Sequence, residues 1–142
     1  MYNTILHPTD LLENHYDMCK KAAEFARHFN AKLHLLHVIE QPSSYQLAQG
    51  LGFAELAMPV KEDAETVMRL LGESLNIPSE QQHVAIGGVK KHILDAAYNL
   101  GCSLIIIGSQ SESAVPAFLG STAYAVLHQA TCDVLTLRGG VD

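Results

Sequence analysis

The chain has 142 residues, of which 48% are hydrophobic and 17% charged, with a formal net charge of −6. That length fits one domain around one core, and that composition excludes intrinsic disorder. Nine scattered Lys and Arg with no basic run lack the electrostatic footprint of a nucleic-acid binder or a lipid-surface anchor, and no apolar run approaches a membrane span.

Residues 2–8 (YNTILHP) form a short apolar run that reads as a first strand ending near Pro8. Beginning directly on that run, the N-terminus offers no signal peptide. Thr9-Asp10 sit where the chain turns toward a helix expected to begin near Glu13 or Asn14. Met18, Ala22, Phe25, Ala26 and Phe29 then fall on one helical face, and Asn30 suits a left-handed stop. Asp10 fits two roles equally, as a ligand acceptor at the carboxyl edge of a strand and as a helix-entry residue.

Residues 31–40 (AKLHLLHVIE) read as the second strand, closed by Pro42-Ser43-Ser44. Residues 43–58 resist assignment, because Gly50 and Gly52 count against one continuous helix. They read as a mobile loop or a broken helix covering a site. Pro59 precedes an amphipathic helix with Ala64, Val67, Met68, Leu71 and Leu75 on its face, stopped by Asn76 and Pro78. A third strand follows at 83–87. The next helix places Ile93, Ala96, Ala97 and Leu100 on one face and ends at Gly101.

Leu104 to Ile107 form a run of four apolar residues, the signature of a strand buried on both faces. Gly108 ends it, a loop of Ser, Gln, Glu and Pro follows, and Gly120-Ser121-Thr122 lead into a helix with Ala123, Val126, Leu127 and Ala130 in register. Residues 132–138 make a fifth strand. The alternation predicts a single α/β domain over 1–142, with a five-stranded parallel sheet, helices on both faces and right-handed crossovers, a Rossmann-like arrangement. In such a sheet the strand-to-helix junction between 103 and 122 is where small ligands bind, and a helix start rich in small residues suits an anion.

Cys19, Cys102 and Cys132 are odd in number and far apart. They argue against a disulfide framework or a zinc site and favour a reducing cytoplasm. His34 and His37 fall on opposite strand faces and His7 on another strand, so no metal site is expected. No G-x-S-x-G elbow occurs and no second carboxylate pairs obviously with Asp10, so no catalytic residue is assigned and the chain does not read as an enzyme.

Five segments together carry a resemblance: ILHPTD, AKLHLLHVIE, the G-x5-I spacing from Gly87 to Ile93, LIIIGSQ, and GST followed by a helix and CDVLTLR. Over almost its whole length the chain resembles a universal stress protein of the single-domain bacterial type. The resemblance implies an adenine-nucleotide α-hydrolase-like fold with strand order 3-2-1-4-5. It also implies a cytoplasmic homodimer formed through the last strand, acting in stress response without turnover, with protein partners unknown. An edge strand has unpaired backbone groups to offer a twofold mate.

ATP-binding members carry G-x2-G-x9-G-S/T across the central loop. Here Gly108 matches the first glycine, Ser111 stands at the second, and eight residues rather than nine precede Gly120-Ser121. Serine adopts a positive φ at a cost and its Cβ obstructs approach to phosphate. Glu112 adds negative charge, and no Lys or Arg lies between residues 102 and 137. The departures resemble the UspA-like subgroup, which implies weak or no ATP binding; the alternative is an ATP-binding member that uses nucleotide occupancy as a switch. Asp10 matches the contact to the adenosine end and Val38 the backbone contact to adenine. Ser109, Ser111, Ser113, Ser121 and Thr122 are the hydroxyl donors that would serve a sulfate or a smaller anion.

If the loop is what weakens ATP binding, Ser111→Gly with one residue inserted between Ser111 and Gly120 raises ATP affinity in a calorimetric titration. A folded variant that binds no better than its parent removes the loop as the cause.

Overall fold

The computed structural model describes residues 1–11, 15–40, 58–108 and 120–138. Among them, strands β1 (Thr4–Pro8), β2 (Lys32–Ile39), β3 (Gln82–Ile86), β4 (Leu104–Gly108) and β5 (Asp133–Leu137) alternate with helices α1 (Tyr16–His28), α2 (Met58–Leu75), α3 (Val89–Asn99) and α4 (Ser121–Gln129). The strands form one sheet in the order β3-β2-β1-β4-β5, and every neighbouring pair is parallel. Fold class and strand order are those expected. The expected start of α1, the stretch 43–58 up to Met58, and the loop residues Ser109, Ser111, Glu112 and Ser113 lie outside the described residues.

Alternation along the strands divides the core in two. Ile5, Leu33, Leu35, Leu104 and Ile106 face Cys19, Ala22, Ala23 and Ala26 of α1 and Met68 and Leu75 of α2. Leu6, Leu36, Val38, Ile105 and Ile107 face Ile93 and Ala97 of α3 and Ala123 and Val126 of α4. The period of two thus sends neighbouring residues of β1, β2 and β4 into opposite layers, as parallel strands covered on both faces require. Two helix faces are narrower than expected. Val67 remains 44% exposed because Met68 takes the core position beside it, and Leu127 remains 46% exposed because Ala125 and Val126 are the buried residues of that turn.

The first three helices end alike. Asn30, Asn76 and Gly101 take φ values of 54°, 58° and 67°, the left-handed conformation in which the chain reverses out of a helix. One residue further on, the N–H groups of Ala31, Ile77 and Cys102 donate to Ala26, Gly72 and Ala97 at 2.8, 2.8 and 2.9 Å. Ile77 and Cys102 are buried against the two core layers, the apolar contact that accompanies this kind of cap.

Gly72 sits in the last turns of α2 for a reason of space. The Gln82 side-chain amide crosses directly over it to donate to the Ile77 carbonyl at 2.8 Å, and a Cβ at position 72 would strike that amide and lie 2.9 Å from the same carbonyl. Gly72→Ala is therefore expected to lower stability by about 1–3 kcal/mol, against the gain of roughly 1 kcal/mol that alanine brings to an open helix site. Urea unfolding measures it; an unchanged or raised midpoint would show that Gln82 swings aside without cost.

Candidate functional site

Three strands deliver their carboxyl ends to one place. In the order β2-β1-β4, the chain leaves β1 toward β2 on one side and reaches β4 on the other, so β1 and β4 flank the reversal of strand order at which open α/β sheets bind ligands. A cleft of about 530 Å³ lies there. Asp10 follows β1, Val38 and Glu40 close β2, Gly108 ends β4, and Gly120, Ser121 and Thr122 open α4; all line the cleft. Six of the nine residues expected from sequence are thus brought together, and Ser109, Ser111 and Ser113 lie outside the described residues.

The turn after β1 is fastened on both sides. Thr9 N–H donates to the Leu36 carbonyl at 2.8 Å, and His37 Nδ1 donates to the Thr9 carbonyl at 2.9 Å. A carbonyl only accepts, so a proton sits on His37 Nδ1. On the other side, the Thr9 hydroxyl accepts from Leu11 N–H at 3.2 Å and from the Cys19 thiol at 3.5 Å. Leu11 takes φ 63°, a conformation that costs a non-glycine residue about 1–2 kcal/mol and is held by these contacts. The result aims Asp10 into the cleft, where its carboxylate meets His15 Nε2 at 3.1 Å.

Gly108 has no left-handed φ among the described glycines. Its constraint is crowding, since a Cβ there would lie 2.9 Å from Met18 Sδ. Gly87 is different: its φ is 144°, a Cβ would lie 2.6 Å from His92 Cε1, and its N–H extends the ladder to the Ile39 carbonyl at 2.9 Å. At α4, Gly120 is the N-cap with no side-chain cap bond, and the first turn carries no acidic residue. That leaves a helix start whose peptide dipoles favour an anion.

The rest of the lining gives the cleft its character. Leu36, Val38, Ile93 and Ile107 form apolar walls, and His15 and His37 join the carboxylates of Asp10 and Glu40. No sequence motif marked His15, His37 or Glu40. His37 precedes Val38 and belongs by alternation to the opposite face of β2, and only its bond to the Thr9 carbonyl explains its place. A second cavity of about 550 Å³ lies between α1 and α2; it shares Thr9 and His15 with the cleft and is otherwise bounded by residues such as Leu11, Tyr16 and Leu70.

Beneath the turn, His7 is fully buried. Its Nδ1 donates to the Ile106 carbonyl at 2.8 Å, while Nε2 has no hydrogen-bond partner among the described residues. Burial pushes its pKa down to about 4, with His15 adding to the effect. His34 and His83 share a hydrogen bond of 2.9 Å between β2 and β3, and burial lowers both. Cys102 is pushed up to about 11 by burial, consistent with a packing role. Among the described residues no group of three or more His, Cys, Asp or Glu is placed to hold a metal ion, and no helix is long and apolar enough to cross a membrane.

The model of the universal stress protein family matches residues 1–138. The chain is 39% identical over 122 residues to universal stress protein A homolog 2 of Coxiella burnetii, covering 85% of this chain and 84% of the relative. Among solved structures, the hypothetical protein MJ0577 aligns with TM-score 0.78 at 23% identity, covering 100% of this chain and 99% of that one. A universal stress protein in complex with cAMP aligns with TM-score 0.69 at 17% identity, covering 96% and 97%.

Buried His7 sets an expected acid response. Its folded pKa of about 4 lies below its ordinary 6.5, so between these values the unfolded chain takes up a proton that the folded chain refuses. Stability therefore falls as pH drops from 6.5 toward 4, by about 3 kcal/mol from this group. Denaturation across that window measures the slope, and His7→Gln should flatten it; an equally steep slope in a folded variant would assign the loss to other groups.

Proposed function

The chain belongs to the universal stress protein family, and from that membership we propose a cytoplasmic stress-response module. It works as a homodimer and without turnover, and its cleft holds an adenine-type ligand with weak affinity for ATP. The observation that carries this reading is the cleft itself, which gathers Asp10, Val38, Gly108, Gly120, Ser121 and Thr122 at the reversal of strand order. A structural neighbour in complex with cAMP supports an adenine nucleotide as the class of ligand. Weak ATP affinity follows from Ser111 and the shortened loop, and from the acidic lining of the cleft.

The chemistry of the cleft supports the absence of turnover. Asp10 is engaged with His15 at 3.1 Å, and among the described residues lining the cleft no nucleophile stands paired with a base. Strand β5 supports the dimer. It is an edge strand with half-buried residues from Val134 to Leu137, so pairing through it would satisfy an open backbone edge. The three free thiols agree with a reducing compartment.

Calorimetry of nucleotide-free protein with magnesium-ATP, a phosphate-release assay and sedimentation test the reading together. Expected are a dimer, binding weaker than micromolar (about −8 kcal/mol) and no phosphate release above background. Micromolar binding would replace this reading with a nucleotide-occupancy switch, and sustained phosphate release would make the protein an enzyme.

A further inference from the structure

We infer that His34 and His83 form an acid-released clasp on edge strand β3, which lets β3 open locally in acid while the rest of the sheet stays closed. Strand β3 has β2 as its one strand neighbour, paired from Leu35 and Gln82 to Ile39 and Ile86. It hangs on a single backbone ladder where β1 has two, so side-chain ties carry more of its attachment. Two such ties reach β2 at the entry of β3. Gln81 Nε2 donates to the Leu33 carbonyl at 2.7 Å, and His34 Nδ1 meets His83 Nε2 at 2.9 Å. Of the two, only the imidazole pair changes its charge near neutral pH.

A hydrogen bond between two imidazoles needs one donor and one acceptor. Among the described residues neither ring has another hydrogen-bond partner. The first added proton can settle on an outer nitrogen and leave the shared hydrogen in place. A second proton has to occupy the facing nitrogen that accepts. Two N–H groups then point at each other, on two cations whose ring centroids lie 5.1 Å apart. The pair therefore titrates as a unit, and its doubly protonated form cannot stay closed.

The surroundings add no compensation. His34 is 7% exposed and falls by alternation on the Leu36 side of β2, which α3 covers. Burial holds both rings below their ordinary 6.5, and His83 and Lys32 add to the effect on His34. Of the other ionisable groups on the adjoining elements, Glu80 and Lys90 are exposed. Lys91 and Asp95 pair with each other at 3.0 Å, and His92 Nδ1 donates to the Gly88 carbonyl at 2.9 Å. Among the described residues no carboxylate is bonded to either ring of the pair. In the opened strand both rings regain water and their ordinary basicity. The clasp is thus whole above pH 6.5, and falling pH below that value shifts β3 toward opening.

The test is NMR of the full chain from about pH 8 to about pH 5, following the imidazole resonances and the amide-exchange protection factors. The reading is the ratio of protection at Gln82–Ile86 to protection in β1 and β4, which removes the acid response of the whole fold. That ratio is expected to fall about tenfold across the range, with the two rings titrating together below 6.5. His83→Gln keeps a partner for His34 that does not titrate, and is expected to hold the ratio constant; His34→Gln makes the same test from β2. A constant ratio in the unmodified chain overturns the inference, whether or not either variant folds. So do two rings that titrate independently at the ordinary value, and so does a folded glutamine variant in which the ratio still falls.

Discussion

Strand β1 is hydrogen-bonded along both edges and covered on both faces, and the rest of the domain is arranged around that confinement. It pairs with β2 from Thr4 to Pro8 and with β4 at Ile5 and Leu6, and Ile5, Leu6 and His7 have no exposed surface. A strand so enclosed cannot slip by one residue without exchanging its two core layers. Its carboxyl end is therefore a fixed point from which the turn at Thr9 and Asp10 departs in one direction. The bonds from Thr9 N–H to Leu36 and from His37 to the Thr9 carbonyl carry that fixity past the last residue of the strand and into the cleft.

The same confinement explains the polar residue within the core. His7 faces the α1 side with Ile5, where a neutral imidazole gives one proton to Ile106 and is held uncharged by its surroundings. The device ties β1 to β4 through a side chain in addition to the backbone ladder. It also places an acid-sensitive group directly under the loop that carries Asp10, so the stability of the site and of the sheet are linked through one residue.

The cleft joins a familiar place in an α/β sheet to an unusual balance of charge. Its position follows from topology alone, because β1 and β4 run to opposite sides of the strand-order reversal. Its chemistry does not. Two carboxylates and two imidazoles line it with apolar walls between them, while the cations of the chain stand on other surfaces.

Local patterns were enough to read the order of elements and the parallel sheet, and they named six residues that the fold gathers in one cleft. Buried parallel strands leave continuous apolar runs such as Leu104 to Ile107, helices leave a 3.6-residue stripe, and Asn30, Asn76 and Gly101 mark stops that require a left-handed backbone. Those are local signals, each contained within a few residues. Features that depend on residues far apart in the chain carry no such local signal. Val67 and Leu127 fit an apolar stripe yet stay exposed, because the surface each helix meets is narrower than its apolar face. Gly72 is a glycine because Gln82 crosses over it. His15, His37 and Glu40 enter the cleft with no motif to announce them, because a cleft built from the ends of three strands and the start of a helix exists only once the sheet has brought them together.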